Sequence, residues 1–235
     1  MMNLIKKELN FYFNTPLAYL IISVFVVVSG WLFVKPFFII GQASMRGFFD
    51  LLPWLFMFLA PAITMASWAE EKKSGTIEIL MTFPIETIKI VLAKFFSSLL
   101  FLITILICSL PIALMVGVLG NPDMGVIWSS YIGSVLLGAA YLAIGLWASS
   151  LTKNQIFAFL IALATNFLLF MSGSYFVTLT LPNFLARLGQ LLGLGFHFTS
   201  IARGVLSLSD ILYYVSVITF FLLLNLRSVN LKKAE

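Results

Sequence analysis

Charged residues are scarce in this sequence. Only 10% of the 235 residues are Asp, Glu, Lys or Arg, whereas 61% are hydrophobic and the mean hydropathy is +1.08. Because an ordinary soluble domain carries about 25% charged residues, this composition excludes a soluble globular protein. Too few residues lie outside apolar segments to form a second domain, so we expect residues 1–235 to form one membrane domain.

Cysteine and histidine each occur only once. Cys108 lies in an apolar run, so the chain has neither a disulfide framework nor a metal-binding cysteine cluster. His197 lies between Phe196 and Phe198 with no carboxylate nearby in the sequence, and we interpret it as structural. The sequence therefore predicts no catalytic residue and no metal site.

Sequence features for nucleotide binding, for ion-driven transport and for nucleic-acid binding are also missing. No G-x-x-x-x-G-K-[ST] pattern occurs, so we expect no nucleotide to bind through a P-loop and no enzymatic activity of this chain. The predicted spans carry no ionisable residue at mid-span, unlike those of a proton- or ion-driven carrier. Basic residues lie at span ends and are not interleaved with aromatics, which favours a role in membrane orientation over nucleic-acid binding.

Long apolar segments are what the sequence does contain, and they predict an all-α polytopic membrane protein with six transmembrane helices. Pro111 is expected to break the third span, and small residues in the fourth span predict close helix packing. The predicted spans are residues 17–34, 51–68, 84–119, 126–151, 156–181 and 211–226.

Two further segments are neither spans nor ordinary loops. Residues 1–16 mix charges with apolar residues at helical spacing, which predicts an interfacial helix on the cytoplasmic surface, in contact with membrane lipid. Residues 183–209 are too polar to span and too apolar for a free loop. We therefore expect a pair of re-entrant half-helices in the outer leaflet, separated at Gly193.

The distribution of basic residues predicts the orientation. With both termini in the cytoplasm, the inner segments hold ten basic residues and the outer segments four, as the positive-inside rule requires. The inner set is Lys6, Lys7, Lys72, Lys73, Lys89, Lys94, Lys153, Arg227, Lys232 and Lys233; the outer set is Lys35, Arg46, Arg187 and Arg203.

Residues 69–85 form the one long polar interruption between spans. Four consecutive charges begin at Glu70, and each would cost roughly 2.5–3.5 kcal/mol at the centre of a bilayer, so we expect this loop to lie in water. Ser74 and Gly75 predict a turn and a helix N-cap, and Pro84 predicts the end of a short helix. Its apolar residues lie on two sides, which indicates contact with both the bundle and a separate protein.

Four sequence blocks resemble the permease subunits of ABC-2 type transporters, with the closest likeness to the gliding-motility-associated permease subunit. The most specific block is Glu-Glu-Lys-Lys-x-Gly-Thr-Ile-Glu-x-Leu at residues 70–80, followed by Pro84. The others are Pro-Ala-Ile-Thr-Met at 61–65, the segment from 128–133 through 149–155, and the segment from 196–198 through 203–205 to Asp210.

This resemblance implies a single ABC-2 type transmembrane domain that works as the permease of an ATP-driven transporter, with export as the expected direction. It implies two copies of a separate ATPase, which would bind ATP and Mg, and a second permease chain, identical or related. It also implies the bacterial inner membrane, with both termini in the cytoplasm and an accessory protein outside as a further possible partner.

The resemblance assigns roles to individual residues. ATPase coupling would involve Glu70, Glu71, Lys72, Gly75, Thr76, Ile77, Glu78, Leu80, Met81 and Pro84, and a transport path at the dimer interface would pass near Thr64, Asn166, Ser172 and Tyr175.

Four alternatives stay open at the level of sequence. The charged loop could be a solvated connector, and polar residues within spans often only bond a neighbouring helix, at about 0.6 kcal/mol each. The chain could also be a non-transporting anchor that passes ATPase motion to an extracytoplasmic partner. An intramembrane enzyme ranks last because no catalytic constellation lies in the spans.

Overall fold

The computed structural model describes residues 2–42, 44–78, 85–174, 177 and 182–231, and within these ranges it contains helices and no β-strand. The helices are α1 (Met2–Phe13), α2 (Pro16–Ile40), α3 (Arg46–Lys73), α4 (Thr87–Ile107), α5 (Leu110–Leu119), α6 (Met124–Leu151), α7 (Gln155–Met171), α8 (Asn183–Leu192), α9 (Leu194–Ile201) and α10 (Leu208–Leu231).

Among the described residues, five helical segments are long and apolar enough to cross a membrane, which confirms the all-α polytopic class. They are Ala18–Ile39, Arg46–Lys73, Thr87–Leu119, Met124–Leu151 and Leu208–Leu231. The third combines α4 and α5, which break at Cys108 and Ser109, immediately before Pro111, as predicted. The fifth predicted span, residues 156–181, contains the shorter apolar helix α7, which has 17 residues.

Helix α3 is longer than predicted, and the expectation that a loop begins at residue 69 is wrong. The helix continues to Lys73, and both Ala69 and Lys72 are buried. Its 28 residues extend about 42 Å at about 1.5 Å per residue, which exceeds a hydrocarbon core of about 30 Å. The charged final turns can therefore remain helical beyond the hydrocarbon.

The N-terminal helix α1 packs on the bundle through its last turn. The Tyr12 ring stacks on Phe101 with centroids 5.1 Å apart, and the Tyr12 hydroxyl donates to the Ile63 carbonyl over 3.2 Å. Lys6 and Lys7 of the same helix are exposed. This amphipathic arrangement agrees with the helix expected for residues 1–16.

Helices α8 and α9 are the expected pair of short helices, and they meet at Gly193. A Cβ atom added at Gly193 would lie 2.6 Å from the Gly173 Cα, so only glycine fits this backbone contact with the turn after α7. The second piece is shorter than expected because it ends at Ile201, and Val205 and Leu206 lie beyond it.

Helix α6 is the most buried of the candidate spans, and its glycines face neighbouring helices. A Cβ atom at Gly133 would lie 2.6 Å from Ile201, and one at Gly138 would lie 2.9 Å from Leu102. One at Gly145 would lie 2.1 Å from Thr64 Oγ1. These contacts explain the small residues of this span.

Replacement of Gly145 by alanine should destabilise the bundle by about 1–3 kcal/mol, because the buried Thr64 side chain cannot move away without losing its bond to Ala60. The control is Gly30→Ala in α2, where an added Cβ meets no atom within 4 Å. Thermal unfolding in detergent should show a lower midpoint for Gly145→Ala only. Equal midpoints for the two variants would contradict the close contact.

Candidate functional site

The C-terminal end of α3 brings together most of the residues predicted to couple to an ATPase. Glu70, Glu71 and Lys72 lie in its last turn, Gly75 has a φ of +74°, and the chain is helical again at residues 76–78. We call residues 65–78 the α3 junction. Of the predicted coupling residues, Leu80, Met81 and Pro84 lie outside the described residues.

The turn at Gly75 follows from its lack of a side chain. A φ of +74° is readily adopted by glycine and is costly for most other residues. The sequence suggested that Ser74 caps the following helix. Among the described residues, its hydroxyl donates instead to the Glu70 carbonyl over 2.8 Å and so closes α3. The chain therefore leaves α3 sharply and begins a second helical segment at Thr76.

A buried ammonium group lies at the base of the junction. The Lys94 side chain is 3% exposed, and its Nζ lies 2.7 Å from Glu71 Oε1 and 3.4 Å from Glu8 Oε1. It also donates to the Ser67 carbonyl over 2.9 Å and lies 5.0 Å from the centroid of the Trp68 ring. One cation of α4 thus holds α1 and α3 together.

Burial makes these contacts necessary. An ammonium group removed from water loses its hydration, and only close carboxylates and carbonyls can offset that cost. The second carboxylate oxygen of Glu71, Oε2, is buried and has no hydrogen-bond partner in the described part of the chain. Glu71 is thus held by Lys94 through one oxygen and keeps a further acceptor.

Two serines at the end of α6 fix the opposite side of the junction. The Ser149 hydroxyl accepts from the Trp68 and Ala69 backbone N–H groups over 3.0 and 3.2 Å and donates to the Met65 carbonyl over 2.9 Å. The Ser150 carbonyl accepts from the Lys72 ammonium group. Together these bonds join α3, between Met65 and Lys72, to the last turn of α6.

Helices α7 and α10 also reach this end of α3. The Gln155 side-chain amide, at the start of α7, donates to Glu70 Oε2. The Ser228 hydroxyl of α10 donates to the same Ser150 carbonyl over 3.2 Å. Helices α1, α4, α6 and α7 therefore contact the α3 junction or its buried cation, and α10 bonds to α6 beside it.

A cavity of about 240 Å³ separates α1 from the α3 junction. Glu8 and Phe11 line one side, and Ser67 and Glu70 line the other. Desolvation raises the pKa of the Tyr12 phenol in this cavity to about 12, so the hydroxyl stays protonated and can keep donating to Ile63.

The exposed tip of the junction differs from its buried base. Lys73, Thr76 and Glu78 are exposed, whereas Ile77 is half-buried and packs against the hydrophobic core. This arrangement offers charged and polar groups to water while one apolar side chain holds the segment to the bundle.

The residues predicted for a transport path are not gathered in an open channel of this single chain. Thr64 and Asn166 are fully buried, and the Asn166 amide has no hydrogen-bond partner among the described residues. The Ser172 hydroxyl donates to the Leu169 carbonyl of the preceding turn. Tyr175 lies outside the described residues.

Sequence reasoning missed the partners that build the junction. Lys94 was counted only among the basic residues that predict the orientation, and Glu8, Ser149 and Ser150 received no individual role. No local pattern links these residues, because Lys94 lies 86 residues from Glu8 and 23 from Glu71. In the parts of the chain that are described, no group of three or more His, Cys, Asp or Glu residues could hold a metal ion.

A family model described as "ABC-2 family transporter protein" matches residues 40–227, which is most of the chain. No curated protein matches the sequence.

Replacement of Lys94 by methionine should destabilise the protein by about 3 kcal/mol, because two carboxylates would remain close together without their cation. Chemical denaturation in detergent would measure this change, and limited proteolysis should show earlier cleavage of α1. The matched control is Lys89→Met, whose exposed pair with Glu86 should contribute less than about 1 kcal/mol. Equal effects of the two substitutions would contradict the role of Lys94.

Proposed function

The chain belongs to the ABC-2 family of transporter proteins, and on that premise we propose that it takes up mechanical energy from a separate ATPase at the α3 junction. The family establishes a transmembrane subunit of an ABC transporter, and such subunits generally work with an ABC ATPase. The proposal adds the place of contact and the path along which motion travels.

The observation that carries this proposal is the contrast between the base and the tip of the junction. At the base, Lys94, Ser149 and Ser150 bond α3 to α4, α1 and α6. At the tip, residues 73–76 and 78 are exposed. A force applied at the tip would therefore move the end of α3 together with its bonded neighbours.

Helix α3 can carry such a displacement through the membrane. It is one continuous helix of 28 residues, and Thr64 lies two turns before Glu71. Because packed helices move as rigid elements with a few discrete arrangements, a shift at the tip would reach the Thr64–Gly145 contact with α6. We propose that this contact separates and closes during the transport cycle.

We place the transport path between two permease chains, beside α3 and α7. Thr64, Asn166, Ser172 and Tyr175 are its proposed polar residues. Thr64 and Asn166 are enclosed in this conformation, so the proposal requires a second arrangement in which they become accessible. The buried, unpaired amide of Asn166 would gain partners from water or substrate in that arrangement.

The complete proposed assembly has two permease chains, identical or related, and two ATPase subunits that bind ATP and Mg. We propose export as its direction and the bacterial inner membrane as its location, with both termini in the cytoplasm. The excess of basic residues at the inner segments supports that orientation. The blocks at residues 70–80 and 196–210 support a likeness to gliding-motility permeases.

Charge reversal at the tip should weaken binding of the ATPase. Glu78→Lys should raise the dissociation constant of the purified complex at least tenfold, which corresponds to about 1.4 kcal/mol. The control is Asp50→Lys, because Asp50 is also an exposed acidic residue of the α3 region but lies near the opposite end of the helix. It should leave the dissociation constant unchanged.

Deletion of residues 77–83 is the stronger version of this test and should abolish co-purification of the ATPase. Retained binding after the deletion would exclude the α3 junction as the contact.

Transport itself requires reconstitution of the complete complex in vesicles with a panel of lipids, glycans and drugs. ATP-dependent movement of one compound would support a transporter, and no movement across the panel would support the non-transporting anchor.

A further inference from the structure

A second polar cavity lies at the opposite end of the bundle from the α3 junction. Three connections meet around it: the segment before α3, the turn between α5 and α6, and the segment after α9. It has a volume of about 330 Å³, and its polar lining includes Ser44, Arg46, Asn121, Asp123 and Arg203. It is independent of the residues proposed for ATPase coupling.

Two arginines converge on this cavity with unused donors. Arg203 Nε donates to the Thr199 carbonyl over 3.1 Å, which leaves its terminal nitrogens without a hydrogen-bond partner in the described chain. The guanidinium of Arg46 makes neither a hydrogen bond nor an ion pair with any described residue. Both side chains belong to exposed residues. Each guanidinium can therefore accept an external anion.

The nearby carboxylates do not neutralise both arginines. Asp123 lines the cavity, but its Oδ1 accepts from the Gly125 and Val126 backbone N–H groups over 2.9 and 3.3 Å, and so caps α6. Asp50 lies one turn after Arg46, lines a neighbouring cavity with it and interacts with its charge, but the two side chains do not form an ion pair. The cavity therefore has two cations and one carboxylate, which is committed to a helix N-terminus.

The surroundings favour a lipid over a soluble anion. Phe49 and Ile127 form a buried apolar floor, and Met124, Trp128 and Val205 are exposed close by in the chain. A tryptophan at this level is typical of the interface between hydrocarbon and head groups. An anionic group held by the arginines could thus keep its acyl chains against an apolar surface.

The charge distribution of the whole chain gives a second reason to expect an anionic ligand at this cavity. Orientation by the positive-inside rule favours few basic residues outside, and only four are expected there. Two of these four share this one cavity. A guanidinium group donates two parallel hydrogen bonds to a phosphate, whereas a lysine ammonium group binds it as a point charge. A pair of arginines therefore suits a phosphate ligand.

We propose that Arg46 and Arg203 bind a phosphate group at the outer membrane surface, and that this phosphate belongs to the head group of an anionic phospholipid. Ser44 and Asn121 lie at the same cavity and would supply further donors to the phosphate oxygens. The bound lipid would join the start of α3, the start of α6 and the end of α9.

Binding can be measured with the full chain in a neutral detergent, by native mass spectrometry and thermal unfolding. The probes are phosphatidylglycerol, phosphatidylcholine and inorganic phosphate. We expect phosphatidylglycerol to bind and to raise the unfolding temperature at concentrations where the other two do neither. Stabilisation by inorganic phosphate equal to that by phosphatidylglycerol would overturn the lipid assignment, and no binding of phosphatidylglycerol would overturn the site.

The double variant Arg46→Gln/Arg203→Gln should weaken phosphatidylglycerol binding at least tenfold. Arg187→Gln is the matched control, because Arg187 is an exposed arginine on α8 that does not line the cavity. If the double variant fails to fold, Arg203→Lys keeps the charge and removes the bidentate geometry, and it should still weaken binding severalfold. An equal loss in Arg187→Gln, or no loss in the cavity variants, would contradict the proposal.

Discussion

A positive charge that is buried away from water must be paired, and this requirement shapes the end of the bundle that contains the α3 junction. Lys94 is buried, with 2% of the whole residue exposed. Its ammonium group therefore needs the carboxylates of Glu71 and Glu8 and the Ser67 carbonyl as partners. Since these partners come from α3 and α1, one electrostatic constraint fixes three helices relative to one another. The serines at the end of α6 then satisfy the backbone of α3 from the other side.

The predictable part of the structure follows from the cost of placing polar groups in hydrocarbon. Continuous apolar runs predicted the spans, and Pro111 predicted the break between α4 and α5. Both predictions were possible because the hydrophobicity of a run and the helix-breaking effect of a proline each depend only on one short segment. The same reasoning placed the start of the polar loop too early, at residue 69. Charge alone does not end a helix, and neighbouring helices satisfied Glu71 and Lys72 while α3 continued.

Contacts between distant segments could not be predicted, since they depend on how each helix is rotated about its axis. His197 has no carboxylate nearby in the sequence, but in the fold its Nδ1 lies 2.6 Å from Oδ1 of Asp210, which is 13 residues further along the chain. The partners of Lys94 were missed for the same reason. Of the proposed functional residues, those in α3 were placed by a local motif, whereas the residues that hold α3 in position required the structure.

The orientation of α3 is the claim on which the functional account depends, and site-specific labelling measures it directly. Ser44 and Ser74 are exposed serines just outside the two ends of α3, so each can be replaced by cysteine in a Cys108→Ser background. A membrane-impermeant maleimide applied to intact cells should label Ser44→Cys and should reach Ser74→Cys only after permeabilisation. Labelling of Ser74→Cys in intact cells would place the α3 junction outside and contradict the account.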